Sequence, residues 1–144
     1  MIGTGFIIAV DYKNISTMAS QLIENRKLIL VDDDPDLLQL MSIRLRKEGF
    51  AVNVSQNGAN LEEMVRREHP DVILLDIQMQ GITGNDICKK LKAKEETKDI
   101  YVILISSKHD IHQIASDSGA DNYFPKPVDF KSLIDEIKGI AGKA

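Results

Sequence analysis

One cysteine, Cys88, stands in 144 residues, so no disulfide can close within the chain. That scarcity is in keeping with a reducing compartment and points to the cytoplasm. Excess charge of either sign is also lacking. The formal net charge is −4, and no block of like charge reads as a basic arm or an acidic tail. Nothing at whole-chain level therefore resembles a nucleic-acid footprint. No apolar run is long enough to span a bilayer. "GFIIAV" near the start has no basic flank and meets Asp11 at once, which makes it a poor signal peptide. Internal repeats and low-complexity tracts are missing too. What is present is ordinary for a globular domain: 43% hydrophobic and 28% charged residues, in a length that suits one domain with a real core.

From Arg26 onward, strand-like and helix-like segments alternate. "KLILV" (27–31), "DVILLD" (71–76) and "IYVILIS" (100–106) are continuous apolar runs of the kind found in strands buried on both faces. "FAVNVS" (50–55) alternates and reads as a more exposed strand, and "DNYF" (121–124) as a short one. Helical spacing runs from Pro35 through Leu37, Leu38, Met41 and Leu45 to a stop at Gly49. Further helices are expected over 60–69, with Leu61, Met64 and Val65 inward, over 84–94, and over 108–120. A closing helix over 129–140 has Asp129 as N-cap and Phe130, Leu133, Ile134 and Ile137 as its buried stripe. Five short βα units imply an α/β, doubly wound fold: a five-stranded parallel sheet, right-handed crossovers, and helices on both faces. In such sheets function gathers at the carboxyl ends of the strands.

Those ends carry Asp32, Asp33 and Asp34 after strand one, Asp76 at strand three, Ser106 and Ser107 at strand four, and Lys126 after strand five. Clustered carboxylates repel one another, and the repulsion is tolerable if a hard divalent cation such as Mg²⁺ sits among them. A carboxylate can also attack phosphorus to give an aspartyl phosphate. Phosphoryl transfer then needs positioning and charge neutralisation, which a metal, Lys126 and a serine hydroxyl can supply.

The four segments "LILVDDDP", "DVILLDIQMQGITG", "VILISS" and "GADNYFPKP", each closing a predicted strand, resemble in order and spacing the receiver domain of two-component response regulators. The likeness runs from Arg26 to about Ile140, which sets a receiver domain over 26–144 and leaves 1–25 as an N-terminal extension. It implies the flavodoxin-like strand order 2-1-3-4-5, which sets strands one and three side by side. By resemblance, Asp76 is the phosphoacceptor. Asp33 is the direct metal ligand, Asp32 a ligand in part or through water, and Asp76 with the Gln78 carbonyl completes the shell for Mg or another divalent cation. Ser106 matches the hydroxyl that swings toward the phosphoryl group, Tyr123 the aromatic that turns inward with it, and Lys126 the lysine that pairs with phosphoryl oxygens. A cis Lys126–Pro127 bond is implied as well. The family's partners are a sensor histidine kinase and either a downstream protein target or a histidine phosphotransfer protein. No direct nucleic-acid contact and no membrane span are expected.

The likeness has departures. Gln80 and Tyr101 replace frequent prolines, Thr83 a frequent acid, and Ser107 a frequent alanine. By the resemblance, Gln78 stands where the family tunes hydrolysis, with an amide able to orient water. The expected function is a stand-alone receiver, not an enzyme in the ordinary sense. It takes a phosphoryl group from a histidine kinase and switches partner binding through the face built by the fourth helix, fifth strand and fifth helix. A relay intermediate and a phosphate-independent scaffold are the alternatives. A phosphohydrolase of the haloacid-dehalogenase type is disfavoured, because it wants its acceptor in an Asp-x-Asp after strand one, whereas Asp76 is on strand three and is followed two residues on by Gln78.

Plainer roles go to the remaining chemistry-bearing residues. Asp34 reads as a helix N-terminal acid, Cys88 as a core residue, His109 and His112 as solvated surface rather than a zinc site, and "KAKEETK" (92–98) as a solvated helix end and loop. His69 has no assigned role. Tyr123 as a half-exposed packing aromatic stands close behind its switch reading. The extension reads as flexible or loosely packed, with an extra strand or a partner-binding arm as alternatives and Met18 as an alternative start. Leu22 and Ile23 offer a lead-in to strand one.

Overall fold

In a strand, neighbouring side chains face opposite sides of the sheet, so a run without polar residues needs cover on both. The computed structural model describes residues 14–15 and 26–140 and provides that cover. The readings of the extension, including Phe6–Val10, Leu22 and Ile23, lie outside the described residues.

The elements are β1 (Lys27–Val31), α1 (Pro35–Lys47), β2 (Ala51–Ser55), α2 (Leu61–Glu68), β3 (Val72–Asp76), α3 (Gly84–Ala93), β4 (Tyr101–Ser106), α4 (Ile111–Ser118), β5 (Asn122–Pro125) and α5 (Phe130–Gly139). All strand pairings are parallel, in the order β2-β1-β3-β4-β5. The flavodoxin-like order implied by the resemblance is the order found.

Alternation along the strands divides the core in two. Ile29, Val31, Ile73, Leu75, Val102 and Leu104 face α2, α3 and α4, where Leu61, Val65, Ile87, Cys88, Leu91, Ile111 and Ala115 meet them. Leu28, Leu30, Val72, Leu74, Ile103 and Ile105 face α1 and α5, against Leu38, Met41, Leu45, Leu133, Ile134 and Ile137. Each buried Leu, Ile or Val side chain contributes about 1.5–3 kcal/mol by leaving water.

The helix ends follow from local chemistry. Asp34 caps α1 by accepting from the backbone N–H groups of Asp36 and Leu37. Gly49, at φ +96°, turns the chain out of the helix. Asp129 caps α5 through the N–H of Ser132, as its position predicts.

Three details differ from the sequence reading. α4 is shorter than 108–120, because residues 108–110 form the turn out of β4 and Asp110 caps without a side-chain bond. Phe130 is only half-buried, with the Arg44 guanidinium 4.8 Å above its ring. The segment 92–98 is not simply solvated. Lys92 Nζ donates to the carbonyls of Lys98 and Ile100 and to Asp121, and Thr97 is buried with its hydroxyl donating to Leu91 O. A lysine at the helix end thus satisfies the part-buried Ile100 carbonyl.

Candidate functional site: an acidic cluster at the carboxyl ends of the strands

Adjacent parallel strands bring their ends together, so order and register place the site. β1 pairs with β3, and Val31 lies opposite Leu75. Asp32 follows the first and Asp76 the second, which makes them neighbours at the sheet's carboxyl edge. Asp32, Asp33 and Asp76 each offer a carboxylate oxygen, and these oxygens lie within 4.8 Å of one another. Asp32 and Asp76 are buried, at 5% and 3% exposure, while Asp33 is open to solvent.

Each buried acid is held by a backbone N–H and by the same lysine. Asp32 Oδ1 accepts from Asp34 N at 2.9 Å, and Oδ2 from Lys126 Nζ at 3.0 Å. Asp76 Oδ1 accepts from Gln78 N at 3.2 Å and lies 3.4 Å from Lys126 Nζ. Lys126 is aimed from the end of β5, where its own N–H bonds Ser106 O and the Lys126–Pro127 peptide is cis, as implied by the resemblance. One ammonium thus serves two carboxylates.

The electrostatics are lopsided. Burial pushes the Asp76 carboxyl above the usual range, and the neighbouring Asp32 charge pushes it further; Lys126 and the Gln78 N–H pull it only partly back. Burial works against the charged form of Lys126, but its bonds to Asp32 and Asp76 outweigh that and raise it. The site therefore holds one cation against three carboxylates, a surplus of negative charge. Hard oxygen donors crowded in this way fit a divalent cation of the Mg²⁺ type.

The remaining predicted residues lie around this cluster. Ser106 is buried at the end of β4, one residue past Ile105, the partner of Asp76 in register. Its Oγ accepts from Lys108 N at 3.0 Å, so its bond is to its own loop. Gln78 follows the acceptor strand on the β3–α3 loop, and its Oε1 accepts from Ser107 Oγ at 2.9 Å. Tyr123 lies on β5, half-buried against the α2–α3–α4 core layer, with its ring edge-on to His112 at 5.5 Å. His109 and His112 join no metal-type group among the described residues, and Cys88 is buried.

Sequence reasoning missed Gly84. A Cβ there would stand 2.2 Å from the Asp76 carbonyl oxygen and 2.8 Å from its carbon. The Gly84 N–H also bonds Ile77 O at 3.1 Å, so the first turn of α3 lies directly on the end of β3. A glycine between the capping Thr83, whose Oγ1 accepts from Asp86 N, and an apolar helical stripe was the available signal.

Comparison with known proteins agrees with this fold. Residues 28–138 match the response regulator receiver domain family. The chain is 33% identical over 115 residues to the DNA-binding response regulator MtrA of Mycolicibacterium smegmatis, covering 78% of this chain and 49% of that protein. It spans about half the length of the curated relatives it matches. Among solved structures, the BeF3-activated N-terminal receiver domain of Klebsiella pneumoniae RstA matches at 29% identity and TM-score 0.71, covering 78% of this chain and 96% of that one. The chemotaxis response regulator CheY4 of Vibrio cholerae has the same fold, at 22% identity and TM-score 0.73, over 79% of this chain and 97% of its own.

Proposed function

The chain belongs to the response regulator receiver domain family, and from that premise we propose that Asp76 is its phosphoacceptor, charged by a sensor histidine kinase. Receiver domains are signalling domains, and phosphorylation and Mg²⁺ binding are general features of the family. The observation that carries the assignment is the buried Asp76 carboxylate, placed between a second carboxylate and the Lys126 ammonium. Both contacts to Asp76 fall on Oδ1, which leaves Oδ2 to attack. A P–O bond forms at Oδ2 as the P–N bond of the donor phosphohistidine breaks, and the electron pair departs on the imidazole nitrogen. Desolvation raises the basicity of the carboxylate and so its strength as a nucleophile.

Lys126 then pairs with a phosphoryl oxygen, and Ser106 donates its hydroxyl to another after leaving Lys108 N. Asp32, Asp33, Asp76 and the Gln78 carbonyl would hold a divalent cation, which supplies neutralising charge to the transferring group. Ser106 sits opposite Pro125 in register and Tyr123 opposite Leu104, so a shift at the end of β4 is transmitted to β5. The output is a change of partner affinity on the α4–β5–α5 face, a shift between two states rather than catalysis of an external reaction. The downstream partner is a protein target or a histidine phosphotransfer protein.

The test is intact mass after incubation with acetyl phosphate and Mg²⁺. One phosphoryl group is expected, and none with Asp76→Asn or without Mg²⁺. No gain in folded wild-type protein, with acetyl phosphate or with a phosphorylated kinase, would replace this reading with a phosphate-independent scaffold.

A further inference from the structure

The β2–α2 loop stands at the same edge of the sheet as the acidic cluster. The Asp32 N–H donates to Ser55 O at 3.2 Å, and two residues beyond Ser55 the chain runs Asn57-Gly58. Seven asparagines occur in the sequence, and only Asn57 precedes a glycine; the others precede Ile15, Arg26, Val54, Leu61, Asp86 and Tyr123. Glycine has no side chain to shield its backbone nitrogen from the amide before it. The loop also folds that amide back. Asn57 Oδ1 accepts from Ala59 N at 3.1 Å, which closes a hydrogen-bonded ring around the Gly58 peptide. Asn57 Cγ and Gly58 N both belong to that ring. Ser55 Oγ donates to Asn57 O, and Leu61 N donates to Gly58 O at 3.3 Å, so the turn is pinned on both sides. Asn57 is exposed, and water reaches it freely. Packing requires the glycine as well, because a Cβ at Gly58 would stand 2.3 Å from Ile87 Cδ1.

We propose that Asn57 is a modification site, which the loop itself converts through a succinimide to aspartate and isoaspartate, adding a carboxylate at the edge that holds Asp32. Solvent hydroxide takes the proton from the Gly58 N–H. The nitrogen then attacks Asn57 Cγ; the new C–N bond forms, the Cγ–Nδ2 bond breaks, and ammonia leaves with a proton from water. Water next adds to one of the two imide carbonyls, and the bond from that carbon to nitrogen breaks. Opening at Cγ gives aspartate, and opening at the main-chain carbon gives isoaspartate. During the attack negative charge develops on Oδ1, where the Ala59 N–H already donates. The held turn also replaces a search through side-chain rotamers.

The experiment is peptide mapping of the full chain after incubation in warm, mildly alkaline buffer, once folded and once in guanidinium chloride, with an isoaspartate assay on the same digests. The peptide that carries Asn57 should gain about 1 Da as an amide becomes a carboxyl. The folded chain should convert about threefold to tenfold faster than the unfolded one, the span that one hydrogen bond to the developing charge supports. The other asparagines should stay intact over the same time. Ala59→Pro, which removes the donor N–H, should slow the folded chain to the unfolded rate and leave the unfolded rate unchanged. Ala59→Ser, which keeps the donor, should match the wild type. No gain at Asn57 in the folded chain, a folded rate at or below the unfolded one, or a folded Ala59→Pro as fast as wild type overturns the proposal. The ratio of folded to unfolded rates needs no variant, so a proline chain that fails to fold leaves the test standing.

Discussion

The two ends of the sheet are both acidic, yet they hold their acids differently. At the amino ends of the strands a groove of about 710 Å³ is lined by Asp71, Asp99, Tyr101, Asp135 and Glu136. There each engaged acid has a neutral partner of its own: Asp71 accepts from Lys27 N at 2.9 Å, and Glu136 from the Tyr101 hydroxyl at 2.5 Å. Asp99 and Asp135 are simply exposed. At the carboxyl ends, two acids are buried and share one lysine. Hydration disperses the repulsion at the first end; at the second, burial concentrates it on Asp76. The proposed phosphoacceptor is thus not in the 710 Å³ groove. What prepares a carboxylate for chemistry is desolvation beside a like charge, not the room around it.

The contrast can be broken from either side. The largest effect is expected from Gly84→Ala, which drives a methyl group into the Asp76 carbonyl. A loss of about 3 kcal/mol is expected in urea unfolding, because the obstacle is backbone and cannot rotate away. Next comes Lys126→Met. It leaves Asp32 and Asp76 facing each other without the ammonium, at a cost of about 2 kcal/mol, moderated because the lysine is 25% exposed. Asp76→Asn combined with it should recover part of that loss.

Asp76→Asn alone should stabilise the fold, by about 1 kcal/mol near pH 7. The sign follows from linkage. The folded carboxyl lies above its unfolded value, so the folded chain binds that proton more tightly. The wild type carries the penalty in full above the raised value, and loses it as pH falls through that value toward the unfolded one. The Tm advantage of the asparagine variant should therefore shrink as pH is lowered. An advantage that grows toward acid would remove the account of Asp76 as a destabilised carboxylate. The smallest effects belong to the amino end. Asp99→Asn and Asp135→Asn should each change stability by less than about 0.5 kcal/mol and leave phosphoryl gain untouched.

Much of the fold was legible in one dimension because the strands are short, apolar and regularly spaced. The acids were legible because each one closes a strand. Harder to see was Lys92, which sits in a run of charges and reads as solvated. Its three acceptors come from Lys98, Ile100 and Asp121, and the last of these is 29 residues away. Gly84 was read as the start of a helix, not as the only residue that fits against Asp76, since a close backbone approach leaves no pattern in the sequence. Ser107 was noted as a strand-end hydroxyl in place of a frequent alanine, and Gln78 for its carbonyl and its amide, each by itself. Their hydrogen bond depends on two loops meeting, which spacing along the chain does not encode.

The sequence by itself determined which residues could form the site and on which edge of the sheet they would stand. Continuous apolar runs that stop at an acid or a hydroxyl fix where strands end, and the side chains placed there follow. The tertiary structure alone decided how those residues share their charges. Which carboxylate receives Lys126 on which oxygen, how deeply Asp76 is buried beside Asp32, and whether Ser107 reaches Gln78 all depend on strand order and register. These are properties of contacts between distant segments, and a few tenths of a nanometre there set whether a carboxylate is hydrated or strained by its neighbours.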